Sequence, residues 1–247
     1  MKISGRTAII TGSTGKLGQS IALCLAKEGC KCVCHYFTGQ ERAEELVGKT
    51  KELGGEAISA QADLSDERQI DTLFEKALQI GSPTILINSA GVFERQPLEN
   101  ITSESMQKIL QINVVGPVLA CKRFWQIINT KYPDTTDVVA KIINISDIGG
   151  VRPWAEYTAY CSSKAALNAA TKSLAKELAP AISVNSVTPG IVSWPADFDQ
   201  TQRQKQLKMI PAGRIATAEE ITGAIIFLLE NDYITGQVLN IDGGRCI

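Results

Sequence analysis

Tyr160 and Lys164 stand four residues apart in the run Tyr160-Cys161-Ser162-Ser163-Lys164. On a helix that spacing puts the phenol and the ammonium on one face. A tyrosine ordinarily ionises near pH ~10, and an adjacent ammonium stabilises the phenolate and draws the value down. A phenol so placed exchanges a proton with a carbonyl oxygen or an imine nitrogen. Lys164 has enough reach to bond a ribose hydroxyl as well. Tyr157, three residues before Tyr160, could share the same face.

A second group of residues suits a nucleotide. Thr11-Gly12-Ser13-Thr14-Gly15-Lys16-Leu17-Gly18 follows a short apolar run and opens a helical stripe. Glycines there let a backbone approach a pyrophosphate, and the helix N-terminus offers free N–H groups and a partial positive charge. Gly12, Thr14, Lys16, Leu17 and Gly18 are the candidate contacts. Sites that prefer NAD usually carry an acid at the end of the second strand, for the ribose hydroxyls. This chain has His35-Tyr36-Phe37-Thr38 instead, with no acid before Glu41. His35, Tyr36 and Thr38, with Lys16 and Arg42 nearby, would tolerate a 2′-phosphate, so the expected cofactor is NADP(H). Asp63-Leu64 suits the adenine edge, with capping of a helix as the rival role for Asp63. Asn88-Ser89-Ala90-Gly91 offers small residues along the cofactor's path.

These groups need elements to hold them. Apolar runs predict strands over Thr7–Thr11, Lys31–Tyr36, Ala57–Ala62, Thr84–Asn88, Lys141–Ser146, Ile182–Val187 and Val238–Ile241. Helical patterns fall between them, over Leu17–Glu28, Glu41–Leu53, Asp66–Ile80, Ser103–Lys131, Glu156–Leu178 and Ala218–Leu229. Strict alternation predicts an α/β protein with a parallel sheet covered on both faces. No linker or repeat interrupts 1–247, so one domain is expected. Residues 190–213 are the least regular and are read as a substrate-side flap.

Composition narrows the functions. The 247 residues carry 25 Lys+Arg against 26 Asp+Glu, so neither nucleic acid nor an anionic membrane is expected as partner. One histidine disfavours Ser-His-Asp hydrolysis and histidine metal sites. Seven cysteines without a CxxC pair read as free, mostly buried thiols; Cys30, Cys32 and Cys34 share one strand face. No apolar run is long enough to cross a bilayer, and the apolar stretch near Met1 ends too early for a secretory signal, so a cytoplasmic protein is expected.

The order and spacing of these motifs resembles the short-chain dehydrogenase/reductase family over essentially the whole chain. The resemblance rests on Gly12–Gly18, Asn88–Gly91, Asn113, Tyr160 with Lys164, Pro189-Gly190 and Asp242-Gly243-Gly244. It implies a three-layer Rossmann fold with seven parallel strands and hydride transfer to or from a nicotinamide. It also implies a homotetramer assembled through Ser103–Lys131 and Glu156–Leu178, and a small-molecule substrate. By the same matching, Tyr160 is the catalytic acid, Lys164 its electrostatic partner, and Asn113 the holder of a relay water. The backbone of Pro189, Gly190 and Val192 would face the nicotinamide. Ala90 and Gly91 would follow the cofactor.

Two residues depart from the family pattern. Where most members have serine, thirteen residues before the tyrosine, this chain has Asp147. A carboxylate opposes a developing alkoxide but suits a substrate with N–H groups or a ring nitrogen awaiting a proton. Lys16 stands at the usual middle glycine and could bridge pyrophosphate and substrate. Both departures resemble the pteridine reductase branch, which implies reduction of a dihydropterin C=N. The aromatic residue that stacks the pterin in that branch is matched here by Val92, with Phe93 beside it and Trp194 as another candidate. Ser146 could instead serve a reductase of 3-oxoacyl thioesters or related ketones. A catalytically idle NADP-binding regulator is the reading from another class.

Overall fold

The computed structural model describes residues 1–195 and 198–247; residues 196 and 197 of the expected flap lie outside the described residues. The strands are β1 (Thr7–Ile10), β2 (Lys31–Tyr36), β3 (Ala57–Gln61), β4 (Pro83–Asn88), β5 (Ala140–Ile145), β6 (Ile182–Pro189) and β7 (Val238–Ile241). They form one seven-stranded parallel sheet in the order β3-β2-β1-β4-β5-β6-β7. The helices are α1 (Lys16–Lys27), α2 (Gln40–Glu52), α3 (Glu67–Ile80), α4 (Ser103–Leu110), α5 (Gly116–Lys131), α6 (Thr158–Glu177), α7 (Gln200–Leu207) and α8 (Ala218–Glu230).

Alternation along each strand divides the core between the two faces of the sheet. Ala8, Ile10, Cys32, Cys34, Ile85 and Ile87 pack with Ile21 and Leu25 of α1 and Ile225 and Leu228 of α8. Ile9, Val33, Leu86 and Ile142 point the other way, onto Phe74 of α3 and Phe124 of α5. Every residue of β1, β4, β5 and β6 is buried, as central strands of a doubly covered sheet must be. Cys30, Cys32 and Cys34 are buried free thiols, held above the ordinary cysteine range chiefly by desolvation.

The structure breaks the helix expected over Ser103–Lys131. Between α4 and α5 lies one wider turn, Gln111–Val115, which carries Asn113. Pro117 cannot donate within a continuous helix, and Gly116 lies against Leu64: a Cβ on it would come within 2.7 Å of the Leu64 carbonyl oxygen. Widened turns of this kind turn a side chain inward without ending the helix. Helix α6 begins two residues later than expected, at Thr158. Glu156 before it has φ +66 and accepts from Arg95, with N···O separations of 2.9 and 2.6 Å. Helix α7 was not expected; an Asp199/Gln202 capping box starts it within the polar run.

Sheet order reverses between β1 and β4. The crevice beyond the carboxyl ends of the strands at such a point is where α/β sheets bind ligands. The loops after β1, β4, β5 and β6 all open there.

Candidate active site

The glycine turn is tight because side chains have no room. Gly12 has φ +63, and a Cβ on it would sit 2.7 Å from the Ala90 Cα. A Cβ on Gly18 would collide with the Gly12 carbonyl oxygen. Gly15 is the N-cap of α1 with no side-chain cap, so the first amides of the helix remain available. Together these features make a cradle that fits a dinucleotide's pyrophosphate. Lys16, the first residue of α1, is exposed and lines the adjoining cavity.

His35 has another task from the one expected. It is 2% exposed, and both ring nitrogens are engaged: Nδ1 accepts from the Gly12 N–H at 3.0 Å, and Nε2 lies 3.0 Å from the Ala62 carbonyl oxygen. Its backbone oxygen accepts from the Ser13 N–H and hydroxyl, each at 2.9 Å. A ring so enclosed offers nothing to a 2′-phosphate; it props the glycine turn from beneath. Burial lowers its pKa from 6.5 to about 4. The unfolded chain therefore binds the extra proton first, and stability falls as pH drops from about 6.5 through about 4. The shift corresponds to about 3 kcal/mol at its full extent. Thermal unfolding measured across that range should show the loss, and His35→Asn should flatten it; an equally steep loss in the variant would rule this assignment out.

Several other expected cofactor residues make contacts within the chain. The Asp63 carboxylate accepts from the Ser65 N–H and hydroxyl at 2.8 and 2.7 Å, and the cap of α3 is Asp66. Leu64 is buried against Gly116. Asn88 turns into the core, donating to Asn144 Oδ1 at 2.8 Å. Tyr36 is buried, and its carbonyl accepts from Ala62. Thr38 is exposed beyond the end of β2. Thr14 lies in the turn, its carbonyl accepting from the Gln19 side chain, and the Ala90 N–H bonds Thr11 Oγ1.

Beyond the glycine turn opens a cavity of about 850 Å³. Its lining includes Gly12, Lys16, Leu17, Gly18, Gly91, Val92, Phe93, Ser146, Asp147, Tyr160, Lys164, Pro189, Gly190 and Val192. The expected chemistry residues therefore converge, brought there by β1, β4, β5, β6 and α6. Trp194 is not among the lining residues; its ring stacks on Phe198, which is, at 6.4 Å.

Tyr160 and Asp147 line the same cavity, and each shifts the proton affinity of the other. Asp147 Oδ1 accepts from the Gly149 N–H at 2.6 Å, so the residue caps the 148–150 turn while facing the cavity. Burial pushes the Asp147 carboxyl above its ordinary range. Tyr160 moves opposite to expectation: desolvation first, then the charge of Asp147, hold its phenol above the ordinary value. Lys164 does not offset this. Its ammonium donates to the Ile145 carbonyl at 3.0 Å and lies 5.9 Å from the Tyr160 ring centre. Burial lowers Lys164 itself to about 8, against a smaller raising influence from Asp147.

Asn113 is completely buried. Its Oδ1 accepts from the Val92 N–H at 2.8 Å, and its Nδ2 donates to the Val92 carbonyl and Ser163 Oγ, each at 3.0 Å. One amide hydrogen holds the loop after β4 and the other ties to Ser163 of α6. Ser146 donates to the Lys164 carbonyl at 3.1 Å. Phe93 is half exposed, stacked on Tyr157 at 5.1 Å and edge-on to Tyr160 at 4.8 Å. Among the described residues no group of three or more His, Cys, Asp or Glu could hold a metal ion.

The family model described as enoyl-(acyl carrier protein) reductase matches residues 13–245. The chain belongs to the short-chain dehydrogenase/reductase family. It is 32% identical to 3beta-hydroxysteroid dehydrogenase 1 of Eggerthella lenta, over 99% of this chain and 95% of that protein. It is 32% identical to glucose 1-dehydrogenase 2 of Bacillus subtilis, over 99% and 96%. Among solved structures, a 7 alpha-hydroxysteroid dehydrogenase complexed with NADH and 7-oxo glycochenodeoxycholic acid superposes with a TM-score of 0.91 at 25% identity, covering 98% of this chain and 95% of that one. A Serratia marcescens short-chain dehydrogenase/reductase carrying two substitutions gives 0.90 at 28% identity over the full length of both chains. The protein is thus an oxidoreductase of the short-chain type, a family that uses nicotinamide cofactors. No helix among the described residues is long and apolar enough to cross a membrane.

Arg152, Trp154 and Arg245 also line the cavity and were not foreseen. Their signal was present only weakly, as the glycine pair Gly243-Gly244 that turns the tail back toward the site.

Proposed function

We propose that this short-chain enzyme is an NADP(H)-dependent reductase acting on the C=N bond of a flat nitrogen heterocycle of the pteridine class. The observation that carries the reading is the convergence of Tyr160 and Asp147 on the wall of one cavity. When bound, the reduced nicotinamide supplies a hydride to the ring carbon. The chain must then deliver a proton to the neighbouring nitrogen. Tyr160, held protonated, is the donor; Asp147, its carboxyl raised by burial, bonds the substrate's N–H groups or returns a proton to the phenol. Lys164 keeps positive charge beneath the pair, and Asn113 fixes the loop carrying Val92 and Phe93. The exposed face of Phe93 supplies a surface for a planar ring, the part that Val92 cannot play.

The cofactor preference rests on the end of β2. Tyr36, Phe37 and Thr38 bring no carboxylate there, and the Arg42 guanidinium stands beside Gly39, where a Cβ would lie 3.6 Å from its Nε. A homotetramer through the α4–α5 segment and α6, in the cytoplasm, accompanies this reading.

A ketone reductase is the second reading, favoured by relatives named for hydroxysteroids and glucose. Ser146 would have to release its bond to Lys164 to serve it. Oxidation of NADPH and of NADH should be followed with dihydropterin, dihydrofolate and ketone substrates. Turnover of the pterins with NADPH is expected. Good ketone turnover without any pterin turnover would reject the pteridine assignment.

A further inference from the structure

Cavity charge is lopsided. Among the described residues its lining holds four cationic side chains, Lys16, Arg152, Lys164 and Arg245, and one acid, Asp147, in a chain whose net charge is −1. Lys16 belongs to the glycine turn and Lys164 to the proton-donating pair. Arg152 and Arg245 have no part in the reading above.

Arg245 is firmly placed. The Asp242 carboxylate accepts from the Gly244 and Cys246 N–H groups at 2.9 and 2.8 Å, folding the tail into a turn. Gly243 and Gly244 have φ +64 and +87, and Cβ atoms on them would press on Ile210 and Pro211 at 2.8 and 3.0 Å. The turn is therefore seated against the segment following α7. From it the Arg245 guanidinium reaches over the Trp154 ring, 5.9 Å from its centre, and Nη2 donates to Gln206 Oε1 at 2.5 Å. Arg152 is drawn alongside, donating to the Arg245 carbonyl at 2.8 Å. The other terminal nitrogen, Arg245 Nη1, is buried and has no hydrogen-bond partner among the described residues. A guanidinium donor left without an acceptor is costly, and a planar fork of this kind matches a carboxylate.

We propose that Arg245, flanked by Arg152, forms a subsite for an anionic carboxylate on the substrate. The reactive ring lies toward Tyr160 and Asp147, and the carboxylate end lies toward the tail. Engaging it means swinging the fork from Gln206 to the incoming oxygens, so the last turn of α7 is coupled to substrate capture. This deepens the proposed function by naming a substituent, and it holds equally for a heterocycle or a ketone.

The test measures binding rather than turnover. Protein loaded with NADP+ is titrated calorimetrically with two matched pairs: pterin-6-carboxylate against pterin, and 4-acetylbenzoate against 4-acetylbenzamide. In the unaltered protein the carboxylate of at least one pair should bind at least tenfold tighter than its neutral partner. Arg245→Gln should bring that ratio near one, and Arg245→Lys, which keeps the charge, should retain part of it. Equal affinity within both pairs, or a preference that survives Arg245→Gln, overturns the subsite. Preference in the ketone pair with no binding of either pterin supports the subsite and counts against the pteridine reading.

Discussion

Tyr160→Phe should lower kcat for reduction by about a thousandfold or more, with NADPH affinity changed only a few-fold. General acid catalysis is commonly worth 10²–10⁴-fold, and a thousandfold loss corresponds to about 4 kcal/mol of barrier. The substitution removes only the hydroxyl. The ring keeps its edge contact with Phe93 at 4.8 Å, so the cavity wall should stand. Tyr160 is poised as an acid rather than as a phenolate, because desolvation and Asp147 both favour its protonated form. The positive charge below it comes from Lys164, charged below about pH 8 and neutral above. Reduction should therefore weaken as pH rises past about 8, and Lys164→Arg, whose guanidinium does not titrate there, should remove that decline. Steady-state rates across pH with direct titration of NADPH measure both. An unchanged rate in Tyr160→Phe would end the assignment of this residue as proton donor.

The second large effect is expected at Asp147. Asp147→Ser should cut reduction of a dihydropterin by roughly 10²–10³-fold, on the scale of a lost acid–base group. Reduction of a simple ketone should be unaffected or faster. Geometry makes this a clean exchange. A serine hydroxyl can still accept from the Gly149 N–H, as capping serines do, so the 148–150 turn keeps its support. What disappears is the carboxyl beside Tyr160 on the cavity wall and the barrier its charge presents to a developing alkoxide. Comparing kcat/KM for the two substrates in both proteins gives the result directly. Unchanged rates on both would mean that Asp147 serves only the turn, and equal losses on both would refute a role specific to the pterin.

Much of this protein was written in its local pattern. Seven strands and most of the helices between them were legible because apolar runs, glycine stops and capping residues act over a few positions. Tyr160 and Lys164 declared themselves by helical spacing, and Gly12 and Gly18 by their place between a strand and a helix. Asp147 was legible as a carboxyl where an alkoxide would need a hydroxyl.

Tertiary packing decided the rest, because burial and partnership arise between segments distant in the chain. His35 read as a strand-end residue that would tolerate a 2′-phosphate until the glycine turn and Ala62 enclosed both its nitrogens. Local spacing implied that Lys164 would acidify Tyr160; desolvation and Asp147, contributed by the loop after β5, reversed the sign. The widened turn at Asn113 sits beside the fit of Gly116 against Leu64, a residue of the segment after β3. Arg245 reached the cavity only because the last residues fold back over α7 and Trp154, ninety residues away in sequence and adjacent in space. Periodicity records which face of an element is buried, but it carries no record of what that face meets.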